Sequence, residues 1–226
     1  MTNTTQFTPE HYEKNIHRTI PHYSSFQKEI IDLIRTTKPD CEAWLDTGCG
    51  TGSLIELANE TFQDCNFYLN DPSEEMLSYA RTRLGKHEAE RFKFTNYTTA
   101  DLPLYEVTKC DVVTAIQSHH YLNREERANT TAKCYEMLKS GGIFIAFENT
   151  APATERGIEI VLDRLRRFQL ECGKESVAVE ENLKRYNTVY FPITIAEHIE
   201  MLKETGFTTC ELFWTSYMQA GFYAIK

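Results

Sequence analysis

The sequence predicts an α/β protein: a doubly wound, mostly parallel seven-stranded sheet with a C-terminal antiparallel hairpin and a helical cap. Three observations predict it. Short apolar runs alternate with amphipathic helical stretches in the order β-α-β-α-β-β-α-β. Three glycines, Gly48, Gly50 and Gly52, fall between the first strand-like run and the next helical stretch in "WLDTGCGTGSL". The ending "TTCELFWTSYMQAGFYAIK" reads as two strands joined near Met218–Gly221, a hairpin.

Each element has its own signal. Ser24 to Thr36 places Phe26, Ile30, Ile31, Leu33 and Ile34 on one helical face. "EAWLDTG" is a short buried strand, and Ser53 to Thr61 is a helix. "CNFYLNDP" is a strand closed by Pro72, and Ser73 opens a helix as its N-cap with Glu75 in the first turn. "RFKFTNY" and "CDVVTAIQS" are strands, the second apolar almost throughout, as a strand buried on both faces is. "REERANTTAKCYEMLKS" is a helix that stops at Gly141–Gly142, and "GIFIAFENT" follows as a strand. Thr154 to Cys172 is mostly helical, charged "KESVAVEENLKRYN" follows, and a helix at Thr194 to Thr205 ends at Gly206.

The 226 residues are ample for one domain with a real core. Within it we expect an N-terminal helical cap over 1–36, a core over 40–150, a helical insertion over 151–192, and a last helix with the hairpin over 193–226. A net charge of −9 points to a solvated acidic surface and argues against a protein that grips nucleic acid through phosphate contacts. The seven cysteines form no C-x-x-C pair, which fits reduced thiols in a cytoplasmic setting. The N-terminus lacks the apolar core of a signal peptide, and no stretch approaches a membrane span.

Glycine at a strand-to-helix turn of such a sheet lets a ligand approach the backbone outside the carboxyl ends of the strands. The spacing is G-x-G-x-G rather than the dinucleotide G-x-G-x-x-G, and Asp46 stands two residues ahead. A pyrophosphate does not suit a neighbouring carboxylate; a ligand bearing an ammonium or sulfonium does. Asp71, at the end of the second strand, stands where a ribose diol is bonded in related sheets, although it also reads as a turn residue before proline.

"LDTGCGTG", "LNDPSEEML", "DVVTAIQSHHYL" and "LKSGGIFIAFE", in this order over roughly residues 40–150, resemble the successive signatures of class I S-adenosylmethionine-dependent methyltransferases, which have a Rossmann-like sheet. The resemblance implies an S-adenosyl-L-methionine site. Gly48, Gly50 and Gly52 would border the methionine part and ribose, Asp46 would organise the loop near the amino group, and Asp71 would hold the ribose hydroxyls. Asn70 and Met76 would lie beside the adenine. Many members carry an acid after the third strand where this chain has Thr98, whose hydroxyl can still accept a hydrogen bond. The N-terminal "HRTIPHYSSFQKEI", "NLKRYN" and the terminal hairpin are also similar to bacterial carboxy-S-adenosylmethionine synthases and to methyltransferases of the tRNA wobble uridine. In the synthase group an arginine ahead of the last helix meets the cofactor's added carboxylate, and Arg185 is the nearest match.

Other residues have two readings each. Arg18 could pair with the methionine carboxylate or be a solvated helix charge, and Tyr23 lies in the same segment, which in these relatives folds over the cofactor. His119 and His120 follow the fourth strand; one could be a general base, or both could only shape the pocket. They do not make a metal site. Gln117 could bond cofactor or substrate. Glu148 could orient a substrate amine or take a proton, or form a salt bridge to the insertion. Tyr186, Tyr190 and Phe191 could wall an acceptor pocket or be core.

The expected reaction is in-line transfer of the sulfonium methyl group to a small-molecule acceptor, with the enzyme positioning and desolvating the reactants. The alternatives are a tRNA-modifying or carboxy-S-adenosylmethionine synthase-like enzyme and a non-catalytic S-adenosylmethionine-binding module. Residues 151–192 mix aromatics with Arg164, Arg166, Arg167, Lys184 and Arg185, and are expected to form, with the N-terminal segment, a lid over the site or else a homodimer interface.

Overall fold

The computed structural model describes residues 8–226 except 86 and 88, so the first seven residues of the expected N-terminal cap lie outside the described residues. In chain order come α1 (Pro9–Thr19), α2 (Tyr23–Thr37), β1 (Ala43–Thr47), α3 (Ser53–Thr61), β2 (Asn66–Asn70), α4 (Glu74–Leu84), β3 (Phe92–Thr95) and β4 (Cys110–Ile116). Then follow α5 (Arg124–Met137), β5 (Leu138–Asn149), α6 (Glu155–Glu171), α7 (Ser176–Leu183), α8 (Ile195–Thr205), β6 (Thr209–Ser216) and β7 (Gln219–Ile225).

The sheet has seven strands in the order β3-β2-β1-β4-β5-β7-β6. The first five are mutually parallel, and β7 runs antiparallel to both β5 and β6. The chain therefore winds outward from β1 in one direction and from β4 in the other, which opens a crevice at the carboxyl ends of those two strands. Alternation along each strand divides the apolar residues between two faces. Trp44, Phe67, Ile145 and Phe147 pack under α2 and α3 with Phe26, Ile30, Ile34 and Ile55. Leu45, Val113, Phe144 and Phe222 pack on the other face with Met137 and Leu202. A third apolar cluster joins α6 and α7 through Val161, Leu165, Val179 and Leu183 to Tyr190 and Met218.

The Ser73 cap read from the sequence is present, and two further helices are capped by residues read only as their starting points. Ser73 Oγ accepts the Met76 amide, Thr154 caps α6, and Thr194 with Glu197 forms a capping box that ends at left-handed Gly206. Three boundaries differ. The N-terminal segment forms two helices, with α1 preceding the helix read at Ser24. The helix read as running to Gly141 ends at Met137, because Leu138 already pairs with Cys110 and opens a 12-residue β5. Gly142, within β5, is so tightly packed that a Cβ there would meet Leu138 Cδ2 and the Lys139 carbonyl oxygen at 2.9 Å each. The hairpin turns at Tyr217–Met218, slightly ahead of the position expected, with Tyr217 in the left-handed region.

Candidate functional site

The strand-to-helix turn after β1 is shaped from inside the protein as well as for a ligand. All three of its glycines are left-handed, with φ of 72°, 54° and 75° for Gly48, Gly50 and Gly52. A Cβ on Gly48 would lie 2.6 Å from Ser118 Cβ, and one on Gly52 would meet Ala80 Cβ at 3.2 Å. A Cβ on Gly50 would meet nothing within 4 Å. The first and third glycines thus let β4 and α4 close in, and the middle one presents bare backbone to open space.

Two acids flank this turn. Asp71, at the end of β2, accepts the Gly50 amide on Oδ2 at 2.9 Å and the Ser73 amide on Oδ1 at 2.8 Å. Each oxygen keeps a lone pair, which suits a pair of vicinal hydroxyls. Burial raises its pKa against those two amide bonds. Asp46 is 2% exposed and takes a 2.6 Å hydrogen bond from Thr114, whose hydroxyl in turn accepts the Trp44 indole N–H. Burial, with a smaller push from Asp71, carries the Asp46 carboxyl up to about 7 even though the Thr114 bond opposes the rise. A cation placed above it restores its charge. These groups fit the sulfonium, ammonium and ribose of S-adenosylmethionine.

A roof from α1 and α2 covers the turn. Tyr12, Tyr23 and Gln27 form a cleft with Asp46, Gly48, Cys49, Gly50, Thr51, Ser53, Ile116 and Gln117. Tyr23, Gln27 and Ser53 hydrogen-bond one another at 3.1–3.3 Å. Glu13 pairs with Arg83 of α4 at 2.7 Å and accepts the Thr51 hydroxyl, so α1 is pinned to the glycine turn. Gln117 has φ of 54°, unusual for a residue with a side chain, at the last position before the crevice. The free space in the cleft is about 40 Å³. That is far below the roughly 300 Å³ or more of a small-molecule pocket.

On the β4–β5 side the groups are arranged differently. Glu148 is fully buried; it accepts the amides of His119 and His120 at 3.0 and 2.9 Å and binds His120 Nδ1 at 2.6 Å. Burial disfavours its charge, but His120, His119 and Arg127 outweigh it and hold the carboxyl at about 2. Burial lowers His119 to about 4 and His198 to about 3. Beyond this core lies Arg185, whose Nε and Nη2 are buried without a hydrogen-bond partner. No carboxylate pairs with it among the described residues. Tyr121 sits beside its guanidinium, Tyr190 lies within its field, and Tyr12 of the roof lies within electrostatic reach of Tyr121. The Arg185 guanidinium is thus faced by the Tyr121 phenol, which accepts a hydrogen bond from it, and by no carboxylate among the described residues.

The structure brings Asp46, Gly48, Gly50, Gln117 and Tyr23 to one cleft, with Asp71 bonded to its floor. It sets other expected residues apart. Asn70 is buried and spends its amide on Thr95 and Tyr97. Thr98 caps its own turn by bonding Asp101 at 2.6 Å. Met76 is buried in the first turn of α4. Arg18 is exposed on the last turn of α1 and does not line the cleft. Glu148 and His120 are enclosed against each other, and His119 stacks on Phe144 at 6.1 Å beneath the crevice. Tyr186 and Tyr190 meet edge-on at 6.1 Å beside Arg185. Tyr12, Gln27, Ser53, Tyr121 and Arg127 were not foreseen. Of these, only Tyr12 and Gln27 carry a sequence signal, as polar positions beside the apolar stripes of α1 and α2. No group of three or more His, Cys, Asp or Glu residues able to hold a metal occurs among the described residues. Nor is any described helix long and apolar enough to cross a membrane.

Comparison with known proteins agrees with this geometry. A family described as "Methyltransferase domain" matches residues 45–144, from β1 into β5. Carboxy-S-adenosyl-L-methionine synthase of Nautilia profundicola is 25% identical over 95% of this chain and 90% of its own length. The synthase of Photobacterium profundum is 24% identical over 98% and 91%. Magnesium protoporphyrin IX methyltransferase from Synechocystis, solved with bound S-adenosylmethionine, superposes with a TM-score of 0.64 at 16% identity, over 100% of this chain and 86% of that one. Streptomyces venezuelae DesVI superposes with a TM-score of 0.66 at 17% identity, over 95% and 96%. With its sheet order, its glycine turn flanked by Asp46 and Asp71, and these likenesses, the chain resembles the class I S-adenosylmethionine-dependent methyltransferases and carries a match to their domain over residues 45–144.

Proposed function

We propose that the protein joins S-adenosylmethionine chemistry to a small carboxylate, and that it makes a carboxylated form of the cofactor as a carboxy-S-adenosylmethionine synthase does. The observation that carries this reading is Arg185: a guanidinium with two buried, unpartnered nitrogens and no carboxylate of its own, beside the Tyr121 phenol. Leaving such a group unpaired costs more than burying it with a partner, so an anionic ligand is its natural complement. The relatives so named match this chain nearly end to end.

S-adenosylmethionine, when bound, would supply a methyl group acidified by its positive sulfur; in this reading the methyl carbon would lose a proton and bond the carboxyl carbon released by cleavage of the C–C bond of a small carboxylic acid, whose remaining carbon would take up a proton. The chain's own residues do the rest. Asp71 and the Gly50 backbone seat the ribose end, and Asp46 faces the positive end. Tyr12 and Tyr23 exclude water, and Tyr121 with Arg185 orients the carboxylate. The narrow cleft supports a roof that opens to admit the cofactor, with α1 and the 151–192 insertion moving together. Gln169 of α6 already bonds the Thr19 carbonyl at 3.2 Å, and Lys174 bonds the Thr19 hydroxyl at 3.1 Å. Hydrogen exchange tests the roof: residues 12–23 and 176–192 gain protection when S-adenosylhomocysteine binds, and identical exchange with and without it rejects the roof.

A second reading is methyl transfer to a small carboxylate-bearing acceptor, favoured because the family match is confined to the cofactor half. Mass analysis of the cofactor after incubation with S-adenosylmethionine and a panel of small carboxylic acids separates the two. A cofactor heavier by one carboxyl group supports the first reading. S-adenosylhomocysteine with a methylated acid supports the second. An unchanged cofactor across the panel rejects both.

A further inference from the structure

The groups around Arg185 stand on two turns that are remote in sequence. The turn after β4 runs from Ser118 to Leu122 and carries Tyr121. The segment 184–191 before α8 carries Arg185, Tyr186 and Tyr190. Two buried charges organise these turns: Glu148 fixes the first, and Arg127 ties the first to the second. Glu148, at the end of β5, takes the His119 and His120 amides and the His120 ring on its two oxygens. Arg127, in α5, is 1% exposed; its Nε donates to the His119 carbonyl at 3.1 Å, and its Nη2 donates to the carbonyls of Leu122 at 3.2 Å and Phe191 at 2.6 Å. The Phe191 amide closes the joint by donating to the His120 carbonyl at 2.7 Å. One carboxylate thus collects the amides of the first turn, and one guanidinium collects carbonyls from both.

Stability alone does not account for this arrangement. An apolar core of similar volume is often at least as stable as buried charges. Here His119 Nε2, His198 Nε2 and Arg127 Nη1 also remain without partners. What the charges supply is a fixed relation between Tyr121 and Arg185. A loose 184–191 segment would let the guanidinium swing toward water or collapse onto the tyrosines. We propose that Arg127 and Glu148 are positioning residues for the carboxylate subsite, acting by locking the Ser118–Leu122 turn to the segment that presents Arg185. This rests on the reading of Arg185 given above.

The readout is the ratio of affinities for carboxy-S-adenosylmethionine and S-adenosylmethionine, measured by calorimetry on the full chain. The ratio isolates the carboxylate from everything else the cofactor touches. Arg185→Met is the control for the subsite, Arg127→Met and Glu148→Gln remove the joint, and Arg127→Lys keeps charge without the fork. Melting temperature is recorded for each variant. We expect the wild type to prefer the carboxylated ligand and Arg185→Met to abolish the preference. Arg127→Met and Glu148→Gln should reduce it about tenfold, the scale on which supporting groups tune a site. Their affinity for S-adenosylhomocysteine should stay within about threefold of wild type. Arg127→Lys should recover part of the preference. Should Glu148→Gln fail to fold, the two Arg127 variants decide. A preference lost in Arg185→Met but intact in folded Arg127 variants overturns the positioning role alone. A wild type with no preference overturns the reading of Arg185 and this inference with it. Equal loss of both ligands in the Arg127 variants shows a merely structural role and also overturns it.

Discussion

The two halves of the crevice are built from different materials. On the β1–β2 side the site is mostly backbone: left-handed glycines, the amides of Gly50 and Ser73, and two acids at strand ends. On the β4–β5 side it is mostly side chains from distant segments, held by buried charges. A backbone site is specified by a few adjacent residues. A side-chain site depends on packing across the whole fold. The halves should therefore fail differently when perturbed, and titrate in opposite directions.

Acid should expose the difference most. Glu148, held at about 2, contributes stability that is complete above the ordinary glutamate range near 4.5 and is lost as pH falls through 2. His119 and His198, lowered to about 4 and 3, stay neutral in the folded state while the unfolded chain protonates from about 6.5 downward. Stability should thus fall from pH 6.5 to 3, by on the order of 3 kcal/mol for His119 and about 5 kcal/mol for His198. Thermal melts across this range should show the slope, and His198→Phe, which keeps a ring against Phe222, should flatten it. A pH-independent melting temperature between 6.5 and 4 would contradict the neutral, buried histidines.

A paired substitution sharpens the backbone half. Gly48→Ala drives a methyl group into Ser118 at a left-handed position and should cost about 2–4 kcal/mol. Gly50→Ala meets no atom, so only the left-handed strain remains, about 1–2 kcal/mol. Its methyl instead occupies the face offered to the ligand. Denaturant unfolding and S-adenosylhomocysteine titration should therefore rank the two in opposite order: Gly48→Ala less stable, Gly50→Ala weaker in binding for its stability. The same rank in both measurements would mean that the turn has no ligand face.

Asp46 gives a smaller and oppositely directed effect. Its folded-state pKa is raised to about 7, so its contribution to stability is full below about 3.8 and is lost as pH rises through 7. A cationic ligand reverses that loss by favouring the carboxylate. S-adenosylmethionine affinity should rise several-fold between pH 6 and 8, with proton release, and Asp46→Asn should remove the dependence. Calorimetry in buffers of different ionisation enthalpy measures the released proton.

The same contrast explains what the sequence could reveal. The strands, the Ser73 cap and the glycine turn are legible because each is fixed by neighbours within a few residues. Asn70 and Thr98 were expected at the cofactor from the resemblance; in the structure Asn70 bonds the Tyr97 carbonyl and Thr98 bonds Asp101, partners that no local pattern announces. Glu148 was read as facing the acceptor because it ends β5. Nothing local to it says that the His119 and His120 amides will enclose it. Tyr121 and Arg127 reach the site only through tertiary packing, which no spacing encodes. Arg185 was found by resemblance, and the two unpartnered nitrogens of its guanidinium became visible only in three dimensions.

The most direct test of the two-part site is a calorimetric titration of wild type, Asp71→Ala and Arg185→Met with S-adenosylmethionine and its carboxylated form. Asp71→Ala should weaken both ligands together, by about tenfold or more, because it removes the ribose partner common to them. Arg185→Met should leave S-adenosylmethionine nearly unchanged and erase only the advantage of the added carboxylate. If Arg185→Met instead weakens both ligands as Asp71→Ala does, or if the carboxylate brings no advantage to the wild type, the division of the crevice into a backbone cofactor half and a side-chain carboxylate half is wrong.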